Sequence, residues 1–213
     1  MDKLYEGLLE LGVENAEEKS ERLRGYINEI LFFNPSLKLV GEKSEEGIII
    51  KHILDSASGY AIFRRETKSG DTIADLGSGA GLPGIVLAIL FPDREFALIE
   101  RMGRRVGFLR GVLAKLNIKN AYVIESDIKD IDRVFSSLTC RAFHPIGDIS
   151  KSAVTLLEED GKAFFYKGQL KNAEREIKEL SAEYAFESDI ERLRVPYLDD
   201  ERVMVTLRRW RKK

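Results

Sequence analysis

The stretch Asp75-Leu76-Gly77-Ser78-Gly79-Ala80-Gly81-Leu82-Pro83-Gly84 constrains the fold of this chain more than any other. It follows the short apolar run Thr72-Ile73-Ala74 and opens into Ile85-Val86-Leu87-Ala88-Ile89-Leu90, which reads as a buried helix. A glycine-dense turn between a strand and a helix lets backbone approach a ligand closely, because glycine lacks a Cβ and tolerates positive φ. A ligand is therefore expected over Gly77 to Leu82, against Gly79 and Gly81. Downstream, Phe96–Ile99, Ala121–Ile124, Leu138–Cys140 and Ala163–Tyr166 read as further strands. The segments Gly84 to Phe91, Arg104 to Leu116, Gly147 to Leu157 and Leu170 to Ser181 are long enough to be helical crossovers. Strands alternating with helices imply a parallel α/β sheet. Tyr184-Ala185-Phe186 and Val203–Leu207 are spaced for a closing antiparallel pair, so the expectation is a Rossmann-like, seven-stranded, mostly parallel sheet.

Upstream, Leu4, Leu8, Leu9 and Leu11, then Leu23, Tyr26, Ile27, Ile30 and Leu31, recur at helical spacing. Asn34-Pro35 is expected to end that segment, and a further helix to run from an N-cap at Ser44 to Ala61. With 213 residues and 44% hydrophobic content the chain is long enough for one sizeable core. We expect one domain over residues 1–213, with 1–66 a helical extension and 67–213 the ligand-binding α/β core. No run approaches the roughly 18 apolar residues of a membrane span, and the first residues lack a signal-peptide pattern. These features predict a cytoplasmic protein without membrane contact. One cysteine and two histidines are too few for a typical zinc site, so no metal is expected. The net charge of −2 hides an acidic excess over residues 1–60. Basic residues bunch at Arg101, Arg104, Arg105 and Arg110 and again from Arg208 to Lys213, which is compatible with a local phosphate-binding face or with solvated surface.

Glu100 ends the second strand, where a carboxylate can accept from both hydroxyls of a ribose. Gly79, Gly81 and Gly84 satisfy the G-x-G-x-x-G spelling of a dinucleotide site, which makes an NAD-dependent oxidoreductase the alternative. Two residues oppose it. Asp75 sets a negative charge beside the turn, and Pro83 removes an N–H from the helix start that should face a pyrophosphate. S-adenosylmethionine carries no phosphate, and its ammonium and sulfonium groups favour a nearby carboxylate.

On this loop ending in Gly81-Leu82-Pro83-Gly84, the chain resembles the bacterial 16S rRNA (guanine-N7) methyltransferase G family, also called glucose-inhibited division protein B. The likeness extends to Lys51-His52-Ile53-Leu54-Asp55-Ser56 upstream, and to Arg104–Leu109, Arg141-Ala142-Phe143 and Tyr166-Lys167-Gly168 downstream. It covers about residues 30 to 170. The resemblance implies a class I S-adenosylmethionine-dependent methyltransferase acting as a monomer on 16S rRNA or the small ribosomal subunit. It assigns the cofactor to Gly77, Leu82, Glu100, Ile128, Lys129 and Arg141, with the other loop glycines beside it. Arg141 and Lys167 are expected to flank the target nucleotide, and the carboxyl-terminal basic tail to contact phosphate more remotely. The chain departs from the family pattern at Lys38-Leu39-Val40, at Asp127-Ile128-Lys129 and at Cys140. The second departure leaves the adenine contacts to backbone groups.

Guanine N7 already presents an in-plane lone pair, so methyl transfer to it needs positioning but no general base. Accordingly, no catalytic acid or base is assigned. His52, Asp55 and Ser56 share a helix at i, i+3 and i+4, a spacing that suits a hydrogen-bonded brace beneath the glycine turn better than a hydrolytic triad. Thr139-Cys140 allows a thiolate route of the cytosine-C5 type, with packing as the plainer role. A non-catalytic ribosome-assembly protein that binds RNA is the reading from another class; an intact glycine loop and Glu100 speak against it.

Overall fold

The computed structural model describes residues 2–141 and 145–213. The sheet consists of β1 (Thr72–Leu76), β2 (Glu95–Glu100), β3 (Ala121–Glu125), β4 (Phe135–Arg141), β5 (Leu157–Lys167), β6 (Tyr184–Leu193) and β7 (Arg202–Lys212). Their order is β3-β2-β1-β4-β5-β7-β6. Strands β1 to β5 run parallel, whereas β7 inserts antiparallel between β5 and β6. This is the five-plus-closing-pair arrangement expected from the sequence. It differs from the six parallel strands of a dinucleotide fold.

Side chains alternate between two cores, as the two-residue period of a strand requires. Ile73, Phe96 and Leu98 enter one cluster, and Ala74, Ala97 and Ile99 the other. Helices α8 (Ile146–Ala153) and α9 (Leu170–Leu180) contribute to the second face. The first is covered by α6 (Gly84–Leu90) and α7 (Gly103–Lys115), together with the amino-terminal helices α1 (Lys3–Glu10) and α2 (Ala16–Leu37). Leu4, Leu8, Leu23, Ile27 and Ile30 share one buried cluster with Ile85, Val86, Leu109 and Val112.

Two local expectations are corrected. Helix α2 does not stop at Asn34-Pro35 but runs to Leu37, with Pro35 inside the last turn. A proline there forfeits one backbone bond, and the Asn34 side chain ties the exit by accepting from Val40 N at 2.9 Å and donating to Glu42 O at 2.8 Å. The helix expected from Ser44 to Ala61 begins as read, with Gly47 N donating to Ser44 Oγ at 3.1 Å. It is then divided into α3 (Glu45–Ile48), a π-helical turn over Ile49–Leu54, α4 (Asp55–Ala57) and α5 (Tyr60–Glu66). At the break, a Cβ on Gly59 would lie 2.4 Å from the Tyr166 hydroxyl, so glycine leaves room for the Tyr166 side chain of β5. The basic run Arg208 to Lys212 forms the end of β7. Because Lys167 pairs with Val203 and Lys162 with Arg208, residues 208–212 lie at the amino edge of the parallel strands, opposite the glycine turn.

Candidate active site

At the carboxyl end of β1 the chain turns through Gly77, Gly79 and Gly81, with φ of 70°, 57° and 93°. Ser78 N donates to Ile99 O of the neighbouring strand at 2.9 Å, and Gly81 N to Ser78 O at 2.7 Å. Glu100 fastens the turn from β2, one oxygen accepting from Gly79 N at 3.0 Å and the other from Met102 N at 2.8 Å. It is only 4% exposed. A carboxylate offers about four lone-pair positions, so capacity remains for a ribose. Helix α2 closes the turn from the other side, the buried Tyr26 hydroxyl donating to Ala80 O at 2.6 Å.

Asp75 sits beneath. Its Oδ2 accepts from Gly84 N at 3.1 Å, while Oδ1 is buried with no hydrogen-bond partner among the described residues. Burial drives its pKa up to about 7, against smaller opposing effects of Ser78 and Gly84. A cationic ligand group above the turn would relieve that burial. The orphaned carboxylate oxygen, the left-handed glycines and the acid at the end of β2 together fit S-adenosylmethionine.

The second half of the site lies across β4. Arg141 Nη1 donates to Asp55 Oδ2 at 2.7 Å and to Lys51 O at 3.3 Å, and Nη2 lies 3.4 Å from His52 Nδ1. Both partners of this ion pair are nearly buried, and Arg202 Nε approaches the other Asp55 oxygen at 3.4 Å. Lys167 pairs with Glu176 at 2.7 Å. A pocket of about 680 Å³ opens among His52, Arg141, Tyr166, Lys167, Glu176 and Arg202.

Gly77, Gly79, Gly81, Leu82 and Glu100 thus come together around one turn. Ile128 and Lys129 form a short 3-10 turn after β3, which is hydrogen-bonded to the end of β2 through Ser126 N and Glu100 O at 3.2 Å. There the Asp127 side chain accepts from Lys129 N, and Ile128 packs on the second core. Arg141 and Lys167 line the neighbouring pocket. Ala142, Phe143 and His144 lie outside the described residues. The brace expected of His52 and Asp55 is present, but it grips Arg141 and not the glycine turn. Ser56 instead offers its backbone oxygen to the Tyr166 hydroxyl at 2.7 Å. Tyr26, Arg202 and Glu176 had not been singled out as site residues; helical periodicity marked Tyr26 as core, and nothing local marked the other two.

The family profile described as rRNA small subunit methyltransferase G matches residues 19–205. A ribosomal RNA small subunit methyltransferase G from Treponema denticola is 36% identical over 236 residues, covering 96% of this chain and 92% of that one. The corresponding Psychromonas ingrahamii protein is 31% identical and covers 98% of each chain. Among solved structures, a methyltransferase from Pyrococcus furiosus superposes with a TM-score of 0.59 at 15% identity, over 89% of this chain and 98% of that one. At that identity the likeness concerns the fold alone.

Proposed function

Since the chain belongs to the rRNA small subunit methyltransferase G family, we propose that it transfers a methyl group from S-adenosylmethionine to N7 of a guanine in 16S ribosomal RNA. The observation that carries this reading is the pairing of two half-sites at the carboxyl edge of one sheet. The braced glycine turn with Glu100 suits the cofactor, and the pocket between Arg141 and Lys167 suits a nucleotide. S-adenosylmethionine supplies an electrophilic methyl on a sulfonium.

The chain's own residues bind and orient. Gly79 and Gly81 let the backbone close on the ligand, Glu100 offers its remaining lone pairs to a ribose, and Asp75 lies beneath the turn as a counter-charge. The turn Ile128–Lys129 flanks the cofactor from the β3 side. Arg141 and Lys167 flank the target nucleotide, each held by a carboxylate so that its geometry is set before the RNA arrives. No residue is required to remove a proton, because N7 carries none. A positive charge passes from cofactor to base, so the total charge in the site is unchanged, and Asp55 and Glu176 already offset the surrounding cations.

The NAD-dependent alternative finds no support in the strand order or in the relatives, nor does a purely RNA-binding assembly factor. We infer in addition that residues 1–213 act as a monomeric domain in the cytoplasm, with 1–66 its helical extension; the shared amino-terminal core supports the single unit. Incubation with methyl-labelled cofactor and small subunits lacking the modification, followed by nucleoside analysis, tests the reaction. 7-Methylguanosine is expected. Label in cytidine or adenosine, or none, overturns the reading.

A further inference from the structure

We propose that His52 is the residue that selects guanine, donating a hydrogen bond from Nε2 to O6 of the base in the pocket beside Arg141. This inference rests on the guanine-N7 reading above. The tautomer follows from chemistry: a guanidinium has only donors, so the Nδ1 that faces Arg141 Nη2 at 3.4 Å accepts, and the proton of the neutral ring resides on Nε2. The ring is neutral because burial, aided by the Arg141 cation, lowers its pKa to about 4. Arg141 is itself fixed by Asp55 and by Lys51 O, so the tautomer is imposed by a rigid neighbour.

Nε2 is buried and meets no partner among the described residues. An unmade hydrogen bond on a buried donor is costly to keep, yet here it belongs to a ring lining the 680 Å³ pocket. The ring also stands on a π-helical turn, a distortion concentrated at functional sites. The cationic groups around the pocket are ion-paired, Arg141 and Arg202 with Asp55, Lys167 with Glu176 and Lys51 with Glu42, and Arg141 Nε is the other buried donor there without a hydrogen-bond partner among the described residues. His52 is therefore the neutral, oriented donor left for a base.

On the edge that carries N7, guanine presents O6 as a second acceptor, whereas adenine presents an N6 amino donor at the same place. With N7 engaged by the methyl group, O6 is the neighbouring feature left to read. A fixed N–H accepts guanine there and opposes adenine. Because O6 becomes a poorer acceptor once N7 is methylated and cationic, the contact serves selection and positioning, and it weakens in the product.

The test uses the full chain and small-subunit RNA transcripts carrying either guanosine or adenosine at the mapped methylation site. For His52→Ala we expect a roughly tenfold fall in kcat/KM on the guanosine RNA, the loss typical of one base-reading contact. We also expect a narrower preference over adenosine, with S-adenosylmethionine affinity by calorimetry unchanged. His52→Gln keeps a donor and an acceptor and should recover part of both the rate and the preference; it carries the comparison if the alanine variant does not fold. Wild-type rates with an unchanged preference overturn the proposal. So does an equal loss in both variants with the preference intact, which marks a packing role. Absence of 7-methylguanosine from the wild-type reaction overturns the functional reading itself, before any variant is compared.

Discussion

At Glu100 the two carboxylate oxygens accept from Gly79 N and Met102 N, so Glu100→Ala removes a brace of the turn together with the proposed ribose acceptor. Each charge-assisted bond to a ribose hydroxyl is worth about 1.5 to 3 kcal/mol. Calorimetry should therefore show at least that loss of cofactor affinity in the alanine variant and a smaller one in Glu100→Gln, which keeps one acceptor. Unchanged affinity in Glu100→Ala would remove the residue from the site. Asp75 makes a different prediction. Its pKa is raised in the folded protein to about 7, so between the ordinary aspartate value and about pH 7 the unfolded chain ionises while the folded one does not. Stability from this group is fully present below the unfolded pKa and is lost as pH rises towards 7. Asp75→Asn should flatten that part of the stability–pH curve of the ligand-free protein, measured by urea unfolding; an unaltered slope contradicts it. Cys140→Ser should keep the methylation rate, since attack by N7 uses no thiolate, and loss of turnover in a folded variant would favour the thiolate route.

Among the elements, Tyr26 shows how a helix outside the α/β core shapes the cofactor turn. Its hydroxyl donates to Ala80 O from a fully buried position on α2. Tyr26→Phe leaves that carbonyl unpaired, at a cost of about 1 to 3 kcal/mol, and should weaken S-adenosylmethionine binding as well as lower the denaturation midpoint. Lowered stability with unaltered cofactor affinity would confine Tyr26 to packing. The parallel strands were legible because their apolar runs are short and bounded by turn residues, and all five lie where those runs stand. Strand length was less legible: β5 begins at Leu157 although Glu158, Glu159 and Asp160 are exposed and polar, and β6 extends to Leu193. In β5, residues 158–161 fall in a register shift against β4, between Leu157 opposite Phe135 and Lys162 opposite Ser137, whereas β6 is an edge strand, whose solvated face carries no hydrophobic signature beyond its buried part. The π-helical turn over Ile49–Leu54 falls inside a stretch whose spacing reads as continuous helix, so nothing local marked it. The glycine turn and Glu100 could be read locally. The Asp55–Arg141–Arg202 group joins three distant segments and could not.

For the molecule as a whole, the two basic clusters of the sequence take opposite places. Arg211 and Lys212 finish β7 at the amino edge of the sheet and Lys213 follows them, where Arg208 pairs with Glu66 and Asp189, and Arg209 with Glu187. Arg101 and Arg104 precede and open α7, directly after β2, on the edge that carries the glycine turn and the Arg141 pocket. Arg101 is 72% exposed and holds Asp127 only at 3.3 Å, a surface pair of little net worth. A large RNA whose target base enters the pocket must therefore cross the face bearing Arg101 and Arg104, while the end of β7 points away. This reverses the role first assigned to the tail. Each phosphate neutralised adds nearly −0.9 to the salt slope of binding for duplex and about −0.7 for single strands. Replacing Arg101 and Arg104 by glutamine should reduce that slope by roughly one to two, in a titration of small-subunit RNA against salt. Replacing Arg211, Lys212 and Lys213 should leave it nearly unchanged. If Lys167 flanks the reacting base as proposed, Lys167→Ala should lower turnover at saturating RNA more than it lowers affinity, because it would act on positioning. If the tail variant instead loses the slope and the Arg101 and Arg104 variant keeps it, the RNA approaches from the other edge and this orientation of the substrate is wrong.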